Sequence, residues 1–218
     1  MSRIPGSNEY VIARARMVRE QLVFRDINDE KVLAAMQTVP RHLFVDEALH
    51  HQAYGDHPLP IGEGQTISQP YIVALMTQML QLTGTEKVLE IGTGCGYQTA
   101  ILSSLCERIY TVERIKKLLA RARRTFDIVH CFNIISKVAD GTLGWPQEGP
   151  FDAIIVTAGG PCVPEALISQ LADPGRLMIP VGDREKQTLV LVTREEGEVR
   201  QEEMETVRFV SLIGSQGW

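Results

Sequence analysis

A short apolar run, Val88-Leu89-Glu90-Ile91, passes directly into Gly92-Thr93-Gly94-Cys95-Gly96 and then into a helical pattern. Three glycines spaced by one residue permit a sharp turn and let a ligand approach the backbone closely. In doubly wound α/β folds the carboxyl end of the first strand is where a ligand binds. From residue 87 onward, short apolar runs alternate with helical ones, which is the pattern of a parallel sheet covered on both faces. The pattern predicts strands at 87–91, 108–112, 133–138, 151–157, 176–181 and 188–193, with a further extended piece around 207–212. Helices are expected near 98–106, 115–126 and 164–171. The expected fold class is therefore α/β, a doubly wound, mostly parallel sheet with helices on both faces.

A helical flank precedes this core. Val11, Ala15, Val18 and Leu22 recur at helical spacing within 8–25, and Val32, Met36 and Val39 follow a candidate cap at Asn28. Another helix is expected around 44–51, and the Gly- and Pro-rich stretch 55–69 reads as irregular. With 218 residues the chain suits one domain. Within it the sequence divides into a flank (8–54), a loop (55–69), a core (85–194) and a carboxyl-terminal extension (195–218).

Composition narrows the function. A formal net charge of −5 gives no broad cationic surface for phosphate neutralisation, so nucleic acid is not an expected partner. The basic run from Arg114 to Arg124 is interleaved with apolar residues, as on the solvated face of an amphipathic helix. Cys95, Cys106, Cys131 and Cys162 include no Cys-x-x-Cys pair, which disfavours structural zinc and a disulfide scaffold and points to a reducing, cytoplasmic setting. His50, His51 and His57 cluster without an accompanying acidic or cysteine set, so no metal is expected. The first ten residues show no export signal, and no stretch reaches the roughly 18 apolar residues of a membrane span.

As a dinucleotide fingerprint the glycine motif fails, because the third glycine of G-x-G-x-x-G would fall at Tyr97. What remains, an acidic residue followed by G-x-G-x-G, resembles the first motif of S-adenosylmethionine-dependent methyltransferases, the Rossmann-like class I group. Such a ligand is cationic and carries no pyrophosphate, and Glu90 stands beside the loop. Glu113 ends the second strand where an acidic side chain accepts from ribose hydroxyls. Asp140-Gly141 ends the third, at the position whose carboxylate accepts from the adenine amino group in that family. Each feature alone is open to a plainer reading as a turn or cap; their joint order favours the methyltransferase.

Upstream, Gly64-Gln65-Thr66-Ile67-Ser68-Gln69-Pro70 is similar to the hallmark of the protein-L-isoaspartate O-methyltransferases, bacterial type. Val39-Pro40-Arg41, Phe44-Val45, Leu59-Pro60-Ile61-Gly62, Pro180-Val181-Gly182 and Val207-Arg208-Phe209-Val210 extend the resemblance over nearly the whole chain. Cys95, Ala139 and Ser211 depart from common family residues, Ser211 at the peptide-binding edge. The resemblance implies methyl transfer from S-adenosylmethionine to the free α-carboxyl of L-isoaspartyl residues, followed by succinimide formation and repair. It marks Ser68 as catalytic, orienting the acceptor carboxylate. It assigns the cofactor to Glu90, Gly92, Thr93, Gly94, Gly96, Tyr97, Gln98, Glu113, Arg114, Asp140, Gly141 and Thr157. The peptide is assigned to Thr66, Ile67, Ser68 and Val210.

Ser68 is also a candidate N-cap for a helix opened by Pro70, and Trp145, Phe209 and Trp218 are candidate peptide-groove aromatics as well as ordinary packing residues. A small-molecule carboxyl or hydroxyl O-methyltransferase, a non-catalytic S-adenosylmethionine-binding module and a nicotinamide dehydrogenase are the alternatives. A monomer is expected, because no heptad seam is visible.

Overall fold

Strand β3 (Lys87–Ile91) lies in the interior of a seven-stranded sheet, third from one edge, and consecutive apolar residues within it serve opposite faces. Val88 joins one buried cluster together with Ile109, Ala153, Ile155, Met178, Leu189 and Leu191, whereas Leu89 and Ile91 join a second with Val112, Ile154, Val156, Leu177 and Val192. A strand buried on both faces is the physical meaning of an unbroken apolar run. The computed structural model describes residues 7–218. The first six residues, part of the stretch read as lacking an export signal, lie outside the described residues.

The chain begins with α1 (Ser7–Met17), a π turn (Val18–Leu22) and a 3-10 turn (Val23–Arg25), followed by α2 (Glu30–Thr38). Asp29 caps α2, accepting from the amides of Lys31 and Val32, so the cap sits one residue beyond the Asn28 expected from sequence. The helix expected around 44–51 is instead two 3-10 turns, Arg41–Phe44 and Glu47–Gln52. The stretch 55–69 is irregular only at 55–58 and 68–69. It contains an antiparallel hairpin of β1 (Leu59–Gly62) and β2 (Gln65–Ile67), turned at Glu63 and Gly64, both at positive φ. Pro60 hid this strand from a sequence reading, but in a two-stranded ribbon an outer position tolerates a missing amide.

Helix α3 (Pro70–Met79) then leads into β3, α4 (Tyr97–Ser103), β4 (Arg108–Glu113), α5 (Lys116–Ile128), β5 (Ile134–Val138), β6 (Phe151–Val156), α6 (Glu165–Ile168), β7 (Leu171–Gly182), β8 (Gln187–Glu195) and β9 (Glu198–Val207). The sheet order is β5-β4-β3-β6-β7-β8-β9; pairs through β7 are parallel, and β8 and β9 add antiparallel. This is the doubly wound, mostly parallel fold expected. The helix expected at 164–171 is shorter, because Leu171 already pairs with Phe151.

The last extended piece was misplaced. The strand is β9, an edge strand whose run of Glu, Gln and Arg residues is largely exposed and shows no apolar alternation. The segment expected at 207–212 instead crosses back over the sheet's carboxyl end. There the amide of Gly159 donates to Val210 O (2.8 Å), the amide of Leu212 donates to Gly159 O (2.8 Å), and a bridge pairs Gly159 with Ser211. Among the described residues no helix is long and apolar enough to cross a membrane.

Candidate active site

At the carboxyl ends of β3, β4 and β6 opens a cleft of about 880 Å³, including its mouth. Gly92, Thr93 and Gly94 form its floor, Glu113 and Arg114 one side, and Gly141 and Thr157 another. The hairpin and its exit, Gln65 to Ser68, close it from above together with the 209–213 segment. The topology therefore joins two parts of the sequence that share no local signal. One is the glycine loop, and the other is the segment 65–68.

Glu113 shapes the glycine loop directly. Its Oε2 accepts from the Gly94 amide (2.9 Å) and its Oε1 from the Ile115 amide (2.7 Å), while the side chain is only 6% exposed. Thr157 pins the other side: its hydroxyl donates to Gly92 O at 2.6 Å. Gly92 has φ +95°, and a Cβ there would collide with that hydroxyl. The loop is thus a backbone surface with a fixed carboxylate beside it.

Three residues assigned to the cofactor by sequence do not line the cleft. Gly96 lies at the amino end of α4 with φ +92°, where a Cβ would overlap the Phe126 ring; its role is to seat α4 on α5. Asp140 caps a 3-10 turn and holds the tail. Its carboxylate accepts from the Thr142 amide and hydroxyl (2.9 and 2.7 Å) and from the Ser215 amide and hydroxyl (2.8 and 2.9 Å). Burial opposes its ionisation, but these donors prevail and hold its pKa below the usual carboxylate range.

Glu90 is the third. Strand alternation turns it, like Val88, toward the layer of α4, where it is 0% exposed. Its Oε2 accepts from Thr99 (2.5 Å) and Thr111 (2.6 Å), and Oε1 has no partner among the described residues. Thr111 in turn shares a 2.6 Å hydrogen bond with Thr93 of the cleft floor, so Glu90 supports the loop from below. Burial raises its pKa to about 8 from an ordinary 4.5, against the pull of the two threonine hydroxyls. The folded state then binds this proton more tightly than the unfolded chain. Its stabilising effect is complete below pH 4.5 and is lost as pH rises toward 8. Glu90→Gln is therefore expected to gain stability relative to wild type across pH 5 to 8, by on the order of a few kcal/mol at the upper end. Denaturant unfolding at several pH values checks this; a difference that does not vary with pH would refute it.

The other assigned residues reach the cleft. Tyr97 and Gln98 line it while their polar ends are engaged in the core, Tyr97 Oη with Met36 Sδ at 3.6 Å and Gln98 Nε2 with Thr77 Oγ1 at 2.8 Å. Thr66, Ile67, Ser68 and Val210 lie together at the upper wall. Ser68 is not the helix cap. Gln69 occupies that position, and no side chain caps α3. The Ser68 hydroxyl accordingly has no hydrogen bond among the described residues, only its carbonyl being engaged.

Sequence reasoning missed Ile72, Val73 and Met76, a stripe of α3 facing the cleft, and the tail residues Leu212 and Ile213, although it placed Ser211 beside them at the peptide edge. The helical spacing of the first group was a usable signal; the second had none, because it depends on the return of the chain past Gly159. Of the three aromatic candidates only Phe209 lines the cleft. Trp145 packs edge-on against Tyr110 (5.5 Å), and Trp218 donates from Nε1 to Gly159 O (3.2 Å). His50 stacks edge-on with His42 and Tyr10, and no group of three or more potential metal ligands occurs among the described residues.

Comparison with known proteins points in one direction. The model of the family described as protein-L-isoaspartate (D-aspartate) O-methyltransferase matches residues 13–217. The chain is 61% identical over 208 residues to a protein-L-isoaspartate O-methyltransferase of Trichlorobacter lovleyi, covering 95% of this chain and 96% of that protein. It is 60% identical over 206 residues to protein-L-isoaspartate O-methyltransferase 1 of Syntrophobacter fumaroxidans, covering 94% and 96%. A solved protein-L-isoaspartate O-methyltransferase superposes with TM-score 0.85 at 27% identity, covering 94% of this chain and 67% of the other. A Plasmodium falciparum structure described under the same activity, in complex with S-adenosyl-L-homocysteine, superposes with TM-score 0.80 at 26% identity, covering 92% and 98%.

Proposed function

The chain belongs to the protein-L-isoaspartate (D-aspartate) O-methyltransferase family, and from that premise we propose how its cleft carries out the family reaction. The enzyme transfers a methyl group from S-adenosylmethionine to the free α-carboxyl of L-isoaspartyl residues in proteins and peptides. The resulting ester closes to a succinimide, whose hydrolysis restores some normal aspartate. The observation that carries the assignment of roles is the meeting of the glycine loop and Glu113 with Ser68, Thr66 and Ile67 in one cleft.

The donor set suits S-adenosylmethionine, which supplies an electrophilic methyl on a sulfonium. Gly92, Thr93 and Gly94 offer backbone, Glu113 a carboxylate for hydroxyl donors or positive charge, and Ile91 and Val112 apolar walls. Tyr97, Gln98, Arg114, Gly141 and Thr157 complete this half. Glu90, Gly96 and Asp140 act from behind, by holding the loop, α4 and the tail.

On the acceptor side a carboxyl with a pKa near 4 is ionised at neutral pH, so no strong base is required. Ser68 donates its unengaged hydroxyl to that carboxylate and fixes the attacking oxygen. The amino end of α3 adds a favourable dipole for an anion. Thr66, Ile67 and Val210 hold the peptide backbone. Alignment of this kind supplies several kcal/mol of a transfer barrier.

A cytoplasmic location is supported by four cysteines that form no disulfide. The net charge of −5 supports damaged proteins, and not nucleic acid, as partners. A monomeric single domain, with a flank (8–54), an active-site segment (55–69), a cofactor core (85–194) and an extension (195–218), completes the proposal.

Transfer of labelled methyl to paired peptides, identical except for one L-isoaspartyl or aspartyl residue, tests the reading. Base-labile label on the isoaspartyl peptide alone is the expected result. Labelling of neither peptide by a protein that binds the cofactor would reject it.

A further inference from the structure

Arg41 is 0% exposed, and an arginine is almost never fully buried without an anionic partner. It opens the 3-10 turn Arg41–Phe44, behind the wall that carries Ser68. Nε donates to Ala53 O and Nη2 to Ser68 O, both at 2.7 Å. Nη1 is sealed from water and has no partner among the described residues. The guanidinium also lies 4.8 Å over the Tyr97 ring. No salt bridge formed among the described residues includes it. The charge is held by carbonyls and a ring face and is not neutralised by any carboxylate in contact.

A buried cation of this kind is costly within an isolated fold. It becomes favourable when an anion arrives nearby. Covalent geometry puts the Ser68 hydroxyl within about 7 Å of the guanidinium nitrogen that holds the Ser68 carbonyl. A trans peptide sets its C=O and N–H on opposite sides. By drawing the carbonyl of Ser68 toward itself, Arg41 turns the Gln69 amide the other way, where it has no acceptor among the described residues.

We propose that Arg41 is a positioning residue for the transfer: it fixes the Ser68–Gln69 peptide and supplies the positive charge that selects a carboxylate acceptor over a neutral amide. The inference rests on reading the Ser68 wall as the acceptor site. Field from a buried cation at this distance, reaching the cleft through the protein wall that covers the guanidinium, favours the anion by about ten- to a hundred-fold.

The test uses the full chain saturated with S-adenosyl-L-homocysteine and two β-linked peptides, one with a free α-carboxylate and one with an α-carboxamide. Calorimetry on wild type is expected to show about a ten-fold or greater preference for the carboxylate. Arg41→Gln is expected to reduce that preference to within about three-fold without weakening the carboxamide peptide, and Arg41→Lys, which keeps the charge, to retain most of it. Equal weakening of both peptides, or an unchanged preference in Arg41→Gln, would mark Arg41 as structural and overturn the proposal. Should Arg41→Gln not fold, Arg41→Lys decides: a folded Lys variant that loses the preference overturns it, and one that keeps it sustains it. A wild type with no preference, together with full turnover in Ser68→Ala, rejects the acceptor-site reading itself.

Discussion

Ser68→Ala is expected to lower kcat for an isoaspartyl peptide by about a hundred-fold or more, the usual cost of removing one preorganised donor from a reacting centre. The same change should alter stability by no more than about 0.5 kcal/mol, because the hydroxyl makes no hydrogen bond within the described fold and does not cap α3. Steady-state kinetics with denaturant unfolding separate the two effects. Full activity in the folded variant would remove Ser68 from the chemistry. A loss of activity matched by a loss of stability would return it to a structural role.

Glu113→Ala is the second large effect. Its carboxylate shapes the glycine loop through the Gly94 and Ile115 amides and faces the cleft, so truncation orphans two amides and deletes the acidic group proposed to contact the cofactor. Both amides are half-buried, so each costs less than the roughly 1–3 kcal/mol of a fully buried unsatisfied group, and the proposed ligand contact is lost as well. Binding of S-adenosyl-L-homocysteine, measured by calorimetry, is expected to weaken by about a hundred-fold. Asp140→Ala should weaken it far less, because in this structure that carboxylate is spent on Thr142 and Ser215. Equal losses in the two variants would show that the tail at Ser215 gives way when the ligand binds.

The alternation of apolar runs made the parallel strands legible, since a strand buried on both faces needs an unbroken apolar sequence. Where a strand is very short or mostly polar, the signal fails. The β1–β2 hairpin and the edge strand β9 were missed for that reason, the first disguised by Pro60 and the second by its run of charged residues. The Gly92 to Gly96 motif announced the ligand loop because positive φ and close packing leave few residue types available.

By itself, then, the sequence determined the fold class, the glycine loop at the end of β3, the acidic residue at the end of β4 and the family to which the chain belongs. Only tertiary packing decided which acidic groups face the cleft. Glu113 does, whereas Glu90 points into the α4 layer because its strand register sends it there, and Asp140 is claimed by a tail 75 residues away. The structure alone also brought Arg41 beneath Ser68, across 27 residues of chain. Local spacing fixes backbone conformation, because that depends on neighbours in sequence. The partner of a buried charge is set by which distant segments the packed sheet brings within a few ångströms.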